Sequence, residues 1–155
     1  DLRCRNWHLT IAGNGDLKKY QALIEDAALD KRIHLAGWVD KPRVRELLLS
    51  SQILVLPSRA ENQPLSVLEG MSYGLAIVAT RVGAVPEVID DHETGLLIDV
   101  QDAAGLARAL IELIDNESLR VEVGSGARAA YVRKYRPEIQ ARALLNIYRE
   151  VLASN

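Results

Sequence analysis

Two carboxylates stand on either side of seven intervening residues in the stretch Ser58-Arg59-Ala60-Glu61-Asn62-Gln63-Pro64-Leu65-Ser66-Val67-Leu68-Glu69. Glu61 falls in a polar loop dense in hydrogen-bonding side chains. Glu69 falls inside the helix that Pro64 opens, since a proline's fixed φ suits a first helical turn and its missing N–H costs nothing there. The start of such a helix leaves backbone N–H groups without intrahelical acceptors, here those of Leu65 and Ser66. Amides at the positive end of a helix dipole hold an anion such as a diphosphate without a metal. Glu69, about one turn farther in, is then placed to accept from hydroxyls of a bound sugar or ribose, and Glu61, on the rim, to contact a reacting sugar. Two solvent-facing carboxylates meet the same spacing, so spacing alone leaves both readings open.

Other chemistry is less well supported. Gly13-Asn14-Gly15 is too short for the dinucleotide fingerprint and lacks the Lys-Ser/Thr of a P-loop. It reads either as a tight turn needing positive φ or as a place where backbone approaches a phosphate-bearing ligand. His8, His34 and His92 are scattered and Cys4 is the single cysteine, which excludes a disulfide framework and a structural zinc site. Asp90, Asp91 and Asp99 lack the spacing of a calcium loop and read as solvated turn residues. Ser58 has no G-x-S-x-G elbow around it. Arg59 and Arg81 each stand near a strand end, where either would balance a phosphate.

The elements that must position these residues alternate short apolar runs with amphipathic stretches. Strands are expected at Trp7–Ala12, Ile33–Ala36, Ile53–Leu56, Ala76–Ala79 and Gly95–Ile98. Helices are expected at Leu17–Ala28, Val44–Leu49, Pro64–Tyr73, Val85–Ile89 and Ala103–Ile114, the last capped by Asp102. Beyond Ser118 the pattern is helical only. One helix is expected over about Leu119–Tyr135, with Gly124 and Gly126 as weak points, and another from Pro137 to about Leu152. Ile53-Leu54-Val55-Leu56 does not alternate, which predicts burial on both faces as in a parallel sheet covered by helices. Five strands separated by helices predict an α/β fold, Rossmann-like and doubly wound, with helices on both faces. In such sheets ligands bind where strands end at their carboxyl termini, that is, on the loops after Ala12, Ala36, Leu56 and Ala79.

Composition sets the outer bounds. The 155 residues are one domain's length, and 19 Lys plus Arg against 21 Asp plus Glu give a net charge of -2. That balance argues against a nucleic-acid binder. No apolar run reaches the length of a membrane-spanning helix.

The stretch from Leu56 to Gly74 resembles the E-x7-E region of the retaining, sugar-nucleotide-dependent glycosyltransferases of family 4, which have the GT-B fold. Leu9–Gly15 is similar to that family's second carboxy-terminal-domain strand and glycine turn, and Leu35–Val39 to its next strand and loop. Ile77–Glu87 and Thr94–Leu97 are similar to its later donor-site elements. The resemblance implies that Glu69 binds the ribose hydroxyls of the nucleotide and that Glu61 acts at the anomeric centre of the donor sugar as the catalytic carboxylate. It further implies that the backbone around Gln63, Pro64, Leu65 and Ser66 holds sugar hydroxyls and diphosphate. By the same resemblance Gly13 lies against the donor phosphates, Trp38 and Val39 lie near the base, and Gly83 belongs to a loop by donor or acceptor. Asn62 and Gln63 are candidates for reading sugar hydroxyls. The implied reaction is transfer of a hexosyl group from a nucleotide-diphosphate sugar to an acceptor hydroxyl with retention, in polysaccharide or other cell-surface glycan synthesis. No cofactor or essential metal is implied. The setting is cytoplasmic, with peripheral attachment at the inner face of the membrane as one option. A non-catalytic nucleotide-sugar or protein-binding module of the same fold is the alternative, and an epimerase of similar architecture fits the E-x7-E stretch less well.

The sequence departs from the family pattern in places. Asn62 stands where a small residue is frequent, Gly70 where alanine is usual, and Leu75-Ala76 replaces a common residue-Pro pair. The family's domain opens with a strand ending in Gly-Arg, then Lys-Gly and a helix, none of which precedes Trp7. The expectation is therefore that residues 1–155 are a fragment of a donor-binding domain whose first β-α unit is missing, with five strands. Alone it is expected to be inactive, and the sheet left without its central strand is open to self-association. The acceptor, a glycan or lipid-linked molecule, would be bound by an amino-terminal domain not in this chain.

Overall fold

Every strand pair in the computed structural model, which describes residues 2–153, is parallel. Five strands are expected and five are found among the described residues, in one sheet of order β1-β2 and another of order β3-β4-β5. The chain folds as two compact units, Asp1–Ser50 and Ser51–Asn155.

The first unit runs β1 (Leu9–Ala12), α1 (Leu17–Asp26), β2 (Ile33–Gly37) and α2 (Lys41–Ser50). β1 begins two residues later than the pattern suggests, because Trp7 is committed elsewhere. Its indole N–H donates to the Leu2 carbonyl at 2.7 Å, and the Arg32 guanidinium sits over its ring, 5.4 Å from the centroid. Asp16 caps α1 by accepting the Lys19 N–H at 3.1 Å, and Asp40 accepts the Arg43 N–H at 3.0 Å at the start of α2. α2 is longer than expected at both ends, since Pro42 sits within its first turn, where a missing N–H is tolerated. α1 stops at Asp26, as Ala28 turns to φ +55.

The second unit runs β3 (Ile53–Leu56), α3 (Leu65–Tyr73), β4 (Ala76–Thr80), α4 (Val85–Val88), β5 (Leu96–Ile98), α5 (Ala103–Asp115) and α6 (Glu117–Ala130). A five-residue π-helical turn (Tyr131–Tyr135) and α7 (Pro137–Ala153) follow. β4 lies between the other two strands and all five of its residues are buried. β3, expected to be buried on both faces, is only half-buried along its length, because it is an edge strand of this sheet. Successive side chains of a strand point to opposite faces. Ala76 and Val78 face a core completed by Leu96, Ile98, Ala109, Leu113 and Val123. Ile77 points the other way, onto α3. There Gly70 permits the helix to sit close: a Cβ on it would lie 2.9 Å from Ile77 Cδ1 and 3.0 Å from Leu54 Cδ2. Helices thus cover both faces of a parallel sheet, the Rossmann-like α/β arrangement.

Gly124 and Gly126 do not interrupt α6, which runs through both of them. They are points of close approach instead. A Cβ on Gly124 would collide with the Gly74 carbonyl oxygen, and one on Gly126 with that of Glu93. Asp102 caps α5 as expected, accepting the Gly105 N–H at 2.8 Å. Pro137 starts α7, in which no residue is buried.

Candidate functional site

β3 and β4 end together, and the loops that follow them form one edge of the second unit. Gly74 terminates α3 in the left-handed conformation (φ +74), and Pro64 stands at its N-cap with its ring fully buried. These two residues set the length and placement of the helix. Pro64 therefore anchors α3 rather than offering a contact surface. Within α3, Val67, Gly70 and Met71 are buried, which leaves Leu65, Glu69 and Tyr73, spaced four apart, as one outward stripe. Glu69 is exposed in the middle of that stripe. Glu61 is half-buried in the preceding loop, while Asn62 and Gln63 are exposed. Among the described residues, neither Glu61 nor Glu69 has an ion-pair or side-chain hydrogen-bond partner.

One expected donor is occupied. The Leu65 N–H bonds the Gln63 carbonyl at 2.8 Å, and the Leu68 N–H bonds the Pro64 carbonyl at 3.1 Å. A tight turn before the helix consumes the first amide, so the open donors at this helix start are those of Ser66 and Val67, neither of which has a backbone acceptor among the described residues. The N-terminal end of α3 remains electropositive through its aligned peptide dipoles.

The loop after β4 abuts the Glu61 loop. Thr80, 1% exposed at the end of β4, donates its hydroxyl to the Ser58 carbonyl at 2.6 Å. Gly83 has φ +54, and a Cβ built on it would overlap the Glu61 carbonyl oxygen and lie 2.7 Å from the carbonyl carbon. Arg81, a candidate phosphate partner, is engaged: its guanidinium donates to Asp91 at 2.8 Å. The other oxygen of Asp91 accepts the Leu97 N–H at 2.8 Å. Asp91 is thus a fixed strut and not a freely solvated turn residue. Partial burial pushes its carboxyl upward, but the Leu97 N–H, the Arg81 guanidinium and nearby His92 outweigh that and hold it below the usual carboxylate value. Arg59 is exposed.

In the first unit, Gly13 and Gly37 tie the two strand-end loops together, the Gly13 N–H donating to the Gly37 carbonyl at 2.8 Å. Gly13 has φ +150 and Gly37 φ +66, and the space that a Cβ of Gly13 would take is empty to 4 Å. Trp38 is 72% exposed and Val39 half-buried. The structure therefore assembles Glu61, Asn62, Gln63, Pro64, Leu65, Ser66, Glu69 and Gly83 at one edge of the second unit, and Gly13, Trp38 and Val39 at one edge of the first. Sequence patterning offers no reason to single out Thr80, whose buried hydroxyl became visible only once β3 and β4 were paired.

Among the described residues there is no group of three or more His, Cys, Asp or Glu side chains able to hold a metal ion. No helix among them is long and apolar enough to cross a membrane.

Comparison with known proteins bears on this arrangement. The sequence model of the group 1 glycosyl transferases matches residues 1–116. The N-acetyl-alpha-D-glucosaminyl L-malate synthase of Bacillus anthracis is 35% identical over 145 residues, which are 93% of this chain and 38% of that protein. Among solved structures, TarM superposes with a TM-score of 0.82 at 29% identity, over 95% of this chain and 30% of its own. The carboxy-terminal domain of LpcC, a group 1 glycosyl transferase of Francisella tularensis, superposes with a TM-score of 0.77 at 22% identity, over 86% of this chain and 88% of that one. The chain spans between 28% and 42% of the length of the curated relatives it matches.

Proposed function

The chain belongs to the group 1 glycosyl transferases, with the fold of their carboxy-terminal GT-B domain, and we propose that it binds the nucleotide-diphosphate sugar from which a hexosyl group passes to an acceptor hydroxyl with retention. The observation that carries this reading is the β3–α3 junction. There an unpartnered, half-buried Glu61, the open Ser66 amide at a helix start and the outward Glu69 one turn farther in follow one another along the same short stretch of chain. A TarM variant from S. aureus, 27% identical to this chain, was solved with UDP, fondaparinux and alpha-GlcNAc-glycerol. That supports a uridine nucleotide as the first probe.

In this proposal Glu69 accepts the two ribose hydroxyls, and the positive end of α3 with the Ser66 amide takes the diphosphate. Glu61 lies against the donor sugar near its anomeric carbon, and the exposed Asn62 and Gln63 meet sugar hydroxyls. As the glycosidic C–O bond to the diphosphate breaks, the acceptor oxygen attacks the same face of the anomeric carbon. Its proton passes to the departing phosphate oxygen, so atoms and charge balance without a further base. Stabilising the leaving diphosphate is then the main catalytic task. The acceptor is a glycan or lipid-linked alcohol, and the reaction takes place in the cytoplasm, where nucleotide sugars are made.

Calorimetric titration with UDP and UDP-glucose tests the assignment. Glu69→Ala is expected to weaken UDP by roughly 10- to 100-fold, the effect of losing about 1.5–3 kcal/mol of charge-assisted hydrogen bonding. Glu61→Ala is expected to spare UDP and weaken UDP-glucose. Unchanged UDP affinity in Glu69→Ala overturns the ribose assignment.

A further inference from the structure

We infer that Thr80 and Gly83 form a brace that positions Glu61, making the β4–α4 loop a positioning element of the site and not a surface that touches the donor. The inference rests on the reading of Glu61 given above. Glu61 belongs to a loop that leaves an edge strand and would have many conformations open to it, since loops without buried apolar contacts are the least protected parts of a fold. Two points of this loop are nonetheless held. Near its start the Ser58 carbonyl accepts the hydroxyl of Thr80, a residue only 1% exposed, at 2.6 Å. A buried hydroxyl must find a partner, so this bond is costly to lose.

The second point is the Glu61 peptide itself, which rests on Gly83 where no side chain fits. Gly83 also adopts φ +54, a conformation that disfavours residues bearing a Cβ. Steric and conformational demands therefore coincide at one residue. The brace is itself tied down. The Val82 N–H bonds the Thr80 carbonyl at 2.9 Å, and the Arg81 N–H bonds the Ile98 carbonyl at 2.8 Å. The Arg81–Asp91 pair closes onto the Leu97 N–H. Position thus passes from β5 through the loop after β4 to the Glu61 backbone.

The test is amide hydrogen exchange over residues 59–63 in the chain carrying Thr80→Val, Thr80→Ser or Gly83→Ala. It is paired with UDP and UDP-glucose titrations of the same variants and of Glu61→Gln. Thr80→Val and Gly83→Ala are expected to accelerate exchange in this segment at least about tenfold, with α5 and α6 keeping the parent rates. Thr80→Ser, which retains the hydroxyl, is expected to restore the parent rate. Unchanged exchange at 59–63 in both disrupting variants, or equal acceleration across the whole second unit, overturns the brace. In the titrations, Thr80→Val and Gly83→Ala are expected to lose the affinity that glucose adds to UDP, as Glu61→Gln does, while affinity for UDP itself is kept. A Glu61→Gln variant that keeps the glucose increment refutes the role of Glu61, whereas loss of it in Glu61→Gln but not in the brace variants refutes the brace.

Discussion

Replacing Gly124 with alanine sets two opposing effects against each other. In an unobstructed helix interior this change stabilises by about 0.8–1 kcal/mol, because glycine gives up more backbone freedom on folding. In α6 the new methyl group would enter the van der Waals envelope of the Gly74 carbonyl oxygen, 3.3 Å from its carbon and 3.4 Å from the Ala76 nitrogen. Those atoms cannot rotate aside. The Gly74 N–H is bonded to the Met71 carbonyl at 3.0 Å, and the Ala76 N–H to the Gln52 carbonyl at 3.0 Å where β4 begins. Relief requires α6 to move away from α3, and overpacking costs about 1–3 kcal/mol. The upper end applies where the obstacle is backbone, so the net expectation is a loss of roughly 2 kcal/mol. Urea unfolding followed by far-UV circular dichroism measures it. With a slope of about 2 kcal/mol per molar, the midpoint falls by about 1 M. Ser125→Ala, at the exposed neighbouring position, serves as the control and is expected to gain up to about 0.5 kcal/mol. A Gly124→Ala chain as stable as the parent, or more so, refutes the close-packing account of α6.

Two further outcomes follow from the second unit. The Asp91 carboxyl is held below its usual value, so its contribution to stability is fully present above the unfolded value near pH 4 and is lost as pH falls through the lower folded value. Asp91→Asn should therefore cost about 1 kcal/mol at neutral pH, with the difference from the parent shrinking below about pH 4 in acid-titrated urea melts. Asp102→Ala removes the cap of α5 and should cost about 1 kcal/mol, whereas Asp102→Asn should retain most of the stability, since asparagine caps nearly as well. Equal losses in the two Asp102 variants would rule out the capping account.

Local signals carried much of the fold. Pro64 and Gly74 punctuate α3 because proline's missing N–H and glycine's tolerance of positive φ act within a few residues. Asp102 and the apolar runs of β3 and β4 were legible for the same reason. What could not be read depends on which element lies next to which. Ile53–Leu56 has the composition of a central strand, but its half-exposure follows from strand order, which composition does not encode. Gly124 reads as a weak point by propensity, and its value lies in the Gly74 carbonyl 50 positions away in the chain. In the candidate site, residue type and spacing singled out Glu61 and Glu69. The occupied Leu65 amide depends on a turn too short to carry a sequence signature. The contact between Gly83 and Glu61 joins two loops that only strand pairing brings together.

The two indoles of the chain stand in opposite circumstances. Trp7 is pinned between the Leu2 carbonyl and the Arg32 guanidinium, whereas Trp38 lies bare on the loop after β2. With only these two tryptophans, indole emission, excited at the red edge where the five tyrosines do not absorb, divides into a fixed background and one solvent-relaxed component. Any ligand that covers Trp38 will displace that component to the blue. The loop thus carries its own optical reporter, readable in the unmodified chain without a dye or a labelled substrate.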